Sequence, residues 1–265
     1  LLMLASAAIL TLTMGVRQSL GLFIAPINAS TGMGIVSISF ALAIGQLMWG
    51  VAQPLFGAYA DRHGSVGVVQ LGGVMLAAGL VLAALMPTQS GLLMFLGVLS
   101  AAGAGAGSFS ILIGATSRQL PVERRAFAAG FINAGGSFGQ FVFAPLAQFV
   151  IAGFGWVAAL FTLAASSLLT LPLARSLRGG EAVPAAANAA PVVEGPSMGS
   201  AIREALRDRS YWCLHLGFFT CGLHIAFLVT HLPGEVQLCG LSASVSATSL
   251  ALIGLFNIAG SLTAG

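Results

Sequence analysis

The sequence contains no lysine, and only 6% of its 265 residues are charged. Soluble domains carry roughly 25%. A chain this poor in charge would show broad apolar patches to water and associate. A water-soluble globule is excluded, and lipid is the solvent that suits 57% hydrophobic residues and a mean hydropathy of +0.98. Acids are scarce too. Asp61, Glu123, Glu181, Glu194, Glu204, Asp208 and Glu235 all fall in gaps or at the ends of apolar runs. No carboxylate lies deep in a predicted span, so neither paired-acid catalysis nor carboxylate-borne proton coupling finds its group here. The three cysteines, Cys213, Cys221 and Cys239, and the four histidines lack metal-ligand spacing. The thiols read as buried or lipid-facing. No cluster of reactive side chains at one depth points to an enzyme, a metal or a cofactor.

What the chain does have is long apolar runs that do not alternate, which excludes a membrane β-barrel. In lipid every backbone N–H and C=O needs an internal partner, so helices remain. Eight spans are predicted, at about 2–25, 38–60, 66–86, 91–117, 125–150, 154–174, 210–231 and 243–265. The first run opens without a basic flank or a small-residue cleavage site, unlike a signal peptide. Both ends of the sequence fall inside apolar runs, so it reads as a segment of a longer chain.

All ten basic residues are arginine. Arg62 lies between spans two and three, Arg118, Arg124 and Arg125 between four and five, and Arg175, Arg178, Arg203, Arg207 and Arg209 between six and seven. The gaps on the opposite side contain none. The positive-inside rule makes the arginine-bearing face cytoplasmic, and the N-terminus with it. No aromatic residues interleave with these arginines, so the pI near 9.2 does not indicate a nucleic-acid partner. The predicted organisation is a six-helix bundle over 1–175, a cytoplasmic linker over 176–209, and two further helices over 210–265. Within the linker, Glu181–Pro196 is rich in Ala and Pro and reads as flexible. Ser200–Arg209 reads as an amphipathic helix on the membrane surface.

A weak repeat links the two parts. Gly15-x-Arg17 precedes Pro26 by the spacing at which Gly222-x-His224 precedes Pro233, and parallel repeats occur among carriers. Gly103, Gly105, Gly107 and Gly114 lie in an apolar run with no strand before it, so they suit close helix packing rather than a phosphate loop.

The turn after span two reads Gly57-Ala-Tyr-Ala-Asp61-Arg62-His63-Gly64. It resembles the signature loop of the major facilitator superfamily. Ser65 and Val66 depart from that pattern, replacing its further basic residues. The resemblance implies an all-α membrane protein of the major facilitator fold, comprising the N-terminal six-helix bundle and the first two helices of the C-terminal bundle. It implies conformational gating by Gly57, Asp61, Arg62, Gly64 and Arg118. Gly57 is expected to allow close helix approach, and Arg118 to pair with Asp61. Pro121–Gly130 with Asn133, Gly15–Phe23, and Gly254–Asn257 resemble the monocarboxylate-transporter-like branch. That branch places an Asp and, four residues on, an Arg in helix 8, where this sequence has Asn257 and Ser261.

Arg17 is the only charge well inside a predicted span, and charge at membrane depth costs at least about 2.5–3.5 kcal/mol. Two readings stand. It anchors an anionic substrate, its guanidinium fork matched to a carboxylate, or it snorkels to the outer interface or pairs structurally with a neighbouring side chain. Gln18 competes with Arg17 for the site position that the resemblance implies. His224, Arg17's counterpart in the repeat, either lines the same cavity or packs as a hydrogen-bonded core residue. Gln46 with Gln53, Asn133 with Ser137 and Gln140, and Asn257 either line an aqueous path or join helices.

The function expected is secondary active transport of a small solute, an organic anion such as a monocarboxylate, by alternating access. Efflux of a hydrophobic compound and a non-transporting sensor on the same fold are the alternatives. The expected partners are a small-molecule substrate and the lipid bilayer, the expected state a monomer, and the expected location the plasma or inner membrane.

Overall fold

The computed structural model describes residues 2–180 and 198–264, and among these no strand forms. The stretch expected to be a flexible linker, Glu181–Pro196, lies outside the described residues. Seven helical runs are long and apolar enough to cross a bilayer. The first four are α1 (Leu2–Thr31), α2 (Ile35–His63), α3 (Ser65–Leu85) and α4 (Gln89–Ser117). The fifth run is 57 residues long, about 85 Å of helix against about 30 Å of hydrocarbon. It must turn back, and it does so at Gly155 (φ 85°, ψ 166°) inside Arg125–Ser167. The arms are α5 (125–154) and α6 (156–167), the latter continued by Thr170–Ala174. Then come α7 (Arg209–Leu238) and α8 (Ala243–Ala264). The eight predicted spans are therefore present, two of them joined through a break of one residue.

Several boundaries differ from the sequence reading. The first helix was expected to stop near residue 25, before Pro26, but runs to Thr31. The chain tightens into a 3-10 turn at Leu20–Phe23 and restarts at Ile24. This puts Pro26 in the first turn of the new segment, where a missing N–H breaks no hydrogen bond. α7 likewise passes through Pro233 to Leu238 rather than ending at residue 231. Proline inside a membrane helix is tolerated because neighbours re-satisfy the freed carbonyl. The amphipathic segment forms a helix at Met198–Ala205. Arg209, expected at its end, instead opens α7.

The chain forms two compact units, Leu1–Glu181 with Val229–Gly265, and Ala182–Leu228. The first holds the core, with Phe23, Ile27, Ile38, Leu76, Leu80, Leu96 and Leu160 fully buried. Its helices touch through small residues and short polar links, as lipid-solvated bundles must when the hydrophobic effect does not drive them together. Thr11 Oγ1 donates to Gly135 O (2.8 Å) and Thr13 Oγ1 to Gly107 O (3.0 Å), tying α1 to α5 and α4. Gln70 Nε2 donates to Leu171 O (3.1 Å), tying α3 to the extension of α6. In the second unit the first part of α7 is exposed along Trp212, Leu214, Phe218, Phe219 and Leu223.

Candidate functional site

The extension of α1 moves Arg17 from near a helix end to the middle of a 30-residue helix. Roughly 20 Å of helical run then lies on either side of it. The guanidinium is held from α2. Arg17 Nη2 donates to Gln46 Oε1. Its Cζ also lies 3.9 Å from the centre of the Trp49 ring, a cation–π contact. Gln46 and Trp49 are three residues apart and so project from one face of α2. The one ion pair among the described residues is Arg118–Asp61, so no carboxylate compensates Arg17.

Arg17 and Gln46 line a small, partly open cavity. Ser100 and Thr230 add hydroxyls, and Leu20, Leu42, Leu76, Leu96, Ala101, Ala104 and Val229 make the remaining wall largely aliphatic. Leu96 and Ser100 reach it from a π-helical stretch of α4, Leu92–Ser100. Widened turns of this kind recur at functional sites, and here Ser100 Oγ bonds back to Leu96 O (2.6 Å). Two residues of its wall, Gly21 and Val229, meet through main chain. A Cβ on Gly21 would stand 2.2 Å from Val229 O, so the turn of α1 and the backbone of α7 touch directly.

The other residues expected at the site are not on the wall of this cavity. Gln18 is half-buried beside Arg17 but does not line the cavity. His224 is exposed and belongs to the second unit. Asn133 Nδ2 donates to Ser261 Oγ (2.8 Å) across the α5–α8 seam, and Asn257 is exposed on α8. Gln140, 1% exposed, lies in the same seam, where a Cβ on Gly254 would meet its Cβ at 3.3 Å. Asn133 thus bonds across the seam to α8, Gln140 Nε2 meets no acceptor among the described residues, and neither lines this cavity. Gln53 donates to the Trp49 carbonyl (3.4 Å). Sequence reasoning missed Trp49, because an aromatic residue in an apolar run carries no signal until its neighbour across the bundle is known.

At the turn after α2, Arg118 Nη2 donates to Asp61 Oδ1 and ties the ends of α2 and α4 together. The two side chains are 48% and 66% exposed. Such pairs contribute under about 1 kcal/mol, so the link orients more than it stabilises. Gly64 ends α2 at φ 92°, ψ 153°, a region open essentially to glycine alone. Arg62 is exposed. Gly57 does not allow the expected close approach. A Cβ there would meet nothing within 4 Å, because its face of α2 has no neighbour among the described residues.

Comparison with known proteins follows the same lines. Over 256 residues the chain is 27% identical to monocarboxylate transporter 13 of Bos taurus, covering 96% of this chain and 58% of that protein. It is 26% identical to the oxalate:formate antiporter of Oxalobacter formigenes over 245 residues, covering 92% and 57%. The chain thus spans under three-fifths of the length of these relatives. Among solved structures it resembles an inward-facing, unoccupied bacterial homolog of the human lysosomal transporter Spinster, with TM-score 0.72 and 20% identity over 96% of this chain and 59% of that one. It also resembles a D-xylose-proton symporter, with TM-score 0.66 and 15% identity over 96% and 65%. The profile of the Major Facilitator Superfamily matches residues 5–265, from the first turn of α1 to the end of α8. The chain belongs to the Major Facilitator Superfamily, as a multi-pass membrane protein of a transporter family and not an enzyme.

Proposed function

We propose that the chain is part of a secondary carrier for a small organic anion, a monocarboxylate or close analogue, with Arg17 as the anchor of the anion. The observation that carries this reading is a guanidinium at mid-helix, without an ion-pair partner among the described residues, on the wall of a mostly aliphatic cavity. A carboxylate entering there supplies the missing countercharge, and its hydrocarbon part meets Leu42, Leu76 and Leu96. The names of the relatives, monocarboxylate transporters and an oxalate:formate antiporter, support the same substrate class.

Arg17 and Gln46 are assigned to the anion. Asp61, Arg118 and Gly64 are assigned to gating at the turn after α2. Alternating access then requires the main-chain contact of Gly21 with Val229 to open. The carrier is read as a monomer of two bundles joined by a cytoplasmic linker.

The test is uptake of radiolabelled lactate and formate by the complete gene product in proteoliposomes. Hydrogen bonds to charged groups are worth about 1.5–3 kcal/mol. Arg17→Ala is therefore expected to raise KM roughly ten- to hundredfold. Arg17→Lys keeps the charge without the fork and is expected to fall between the two. Uptake by Arg17→Ala equal to that of the parent sinks the reading. If that variant also exported a lipophilic dye, the cavity would belong to efflux of hydrophobic compounds.

Orientation is a separate proposal: the N-terminus and the arginine-rich turns are cytoplasmic, in the plasma or inner membrane. Cys213, Cys221 and Cys239 are free and exposed, so they are replaced first. Arg62→Cys and Arg124→Cys are then expected to react with an impermeant thiol reagent only from the inner face. Labelling of the two from opposite faces breaks the topology.

A further inference from the structure

We propose that Trp49 is the positioning residue of the anion site: its indole face takes the place a carboxylate usually fills beside a buried guanidinium, leaving the cation fixed but uncompensated for the substrate. The proposal rests on the assignment of Arg17 to the anion.

A guanidinium held in lipid ordinarily pairs with an acid. An acid would fix Arg17 equally well, but it would cancel the charge that attracts an anionic substrate and compete for the same N–H donors. Gln46 is neutral and takes up one edge of the guanidinium. The Trp49 ring, 3.9 Å away, covers a face. Neither contact uses up the net charge. The ring therefore supplies electrostatic attraction through its quadrupole, which strengthens where water is excluded.

Two further observations suit a ring placed for its face. The Trp49 indole N–H is buried and meets no acceptor among the described residues, although buried tryptophans usually find one. The position of the ring gives up that hydrogen bond and keeps the contact with Arg17. The backbone beneath it is also fixed. A Cβ on Gly105 of α4 would stand 3.2 Å from Trp49 O and 2.9 Å from Ala52 Cβ, so α4 lies directly against this turn of α2. Gln53 Nε2 binds the same Trp49 carbonyl. Trp49 is absent from the cavity wall while Arg17 and Gln46 are on it. It acts on the substrate through Arg17.

The test uses the complete gene product in proteoliposomes, with radiolabelled lactate and formate as probes. Tryptophan bearing one, two and three ring fluorines is installed at position 49 by nonsense suppression. Fluorination drains the π face with little change of shape. The expected result is a stepwise rise in KM with fluorine number, at unchanged maximal rate. Trp49→Phe keeps a weaker face and falls early on that line, and Trp49→Leu raises KM roughly tenfold. A purely packing role predicts no dependence on fluorine number, so the series stays decisive even if Trp49→Leu folds poorly. A KM that is flat across the fluorinated proteins, while Arg17→Ala still raises it, overturns the role of Trp49 and leaves the anion site standing. A KM that neither the fluorinated series nor Arg17→Ala moves overturns both.

Discussion

A Gly155→Val protein is expected to lose the arrangement of its helices, not just some of its stability. Gly155 has φ 85° and ψ 166°, a region in which side-chain-bearing residues are strained by about 1–3 kcal/mol and β-branched ones are least tolerated. The alternative open to the chain is to continue the helix. Arg125–Ser167 would then be one rod of 43 residues, about 65 Å long. No tilt fits that into about 30 Å of hydrocarbon. Space is not the constraint, because a Cβ at Gly155 would meet nothing within 4 Å. Gly153 is equally open and has ordinary dihedral angles, so Gly153→Val provides the control. Yield of monodisperse protein from membranes and its melting temperature are the measurements. The Gly155 variant should fail both while the Gly153 variant passes. A Gly155→Val protein melting with the parent would show that the reversal is imposed from elsewhere.

The second large effect is expected at Gly103. Its missing Cβ would lie 2.4 Å from Leu76 N and 2.6 Å from Gly72 O, both main-chain atoms of α3 that cannot swing aside. Overpacking a core ordinarily costs about 1–3 kcal/mol. Gly103→Leu has to separate two helices along their length, so its cost lies at or above the top of that range, several turns of contact between α3 and α4 being lost. Gly105 and Gly107 are in comparable positions against other helices. A Cβ on Gly105 would be 2.9 Å from Ala52 Cβ of α2, and one on Gly107 would be 2.6 Å from Thr13 Cγ2 of α1. Gly103 and Gly105, two apart on a helix, point in different directions, and Gly107 caps that segment, so each glycine of this short run seats a different neighbour. Gly114 is open, with nothing within 4 Å, and Gly114→Leu is expected to shift stability by less than about 0.5 kcal/mol. Thermal melting of both variants in the same detergent decides the point. Equal melting of the Gly103 and Gly114 variants removes the hub role of α4.

Much of this was legible beforehand. Of the four glycines expected to pack closely, Gly103, Gly105 and Gly107 do and Gly114 does not, and the position of Arg118 at the end of α4 announced a partner for Asp61. The end of the first helix was not legible. Pro26 looks like a stop in sequence, and only the 3-10 turn before it shows that the helix restarts. That one difference lengthens the helical run beyond Arg17 and leaves the residue near its middle. The polar residues of α5 were equally ambiguous, since a stripe facing water and a stripe facing α8 have the same spacing.

Composition and local backbone preference settle the helical class, the lipid-suited apolar runs and the gaps between them, because each depends on residues near one another in the chain. Which side chains meet depends on how far each helix is rotated and how closely it is approached, and those are set by packing among all of them at once. The meeting of Arg17 with Gln46 and Trp49, the bond from Asn133 to Ser261, and the closure of Gly21 on Val229 are decided only there.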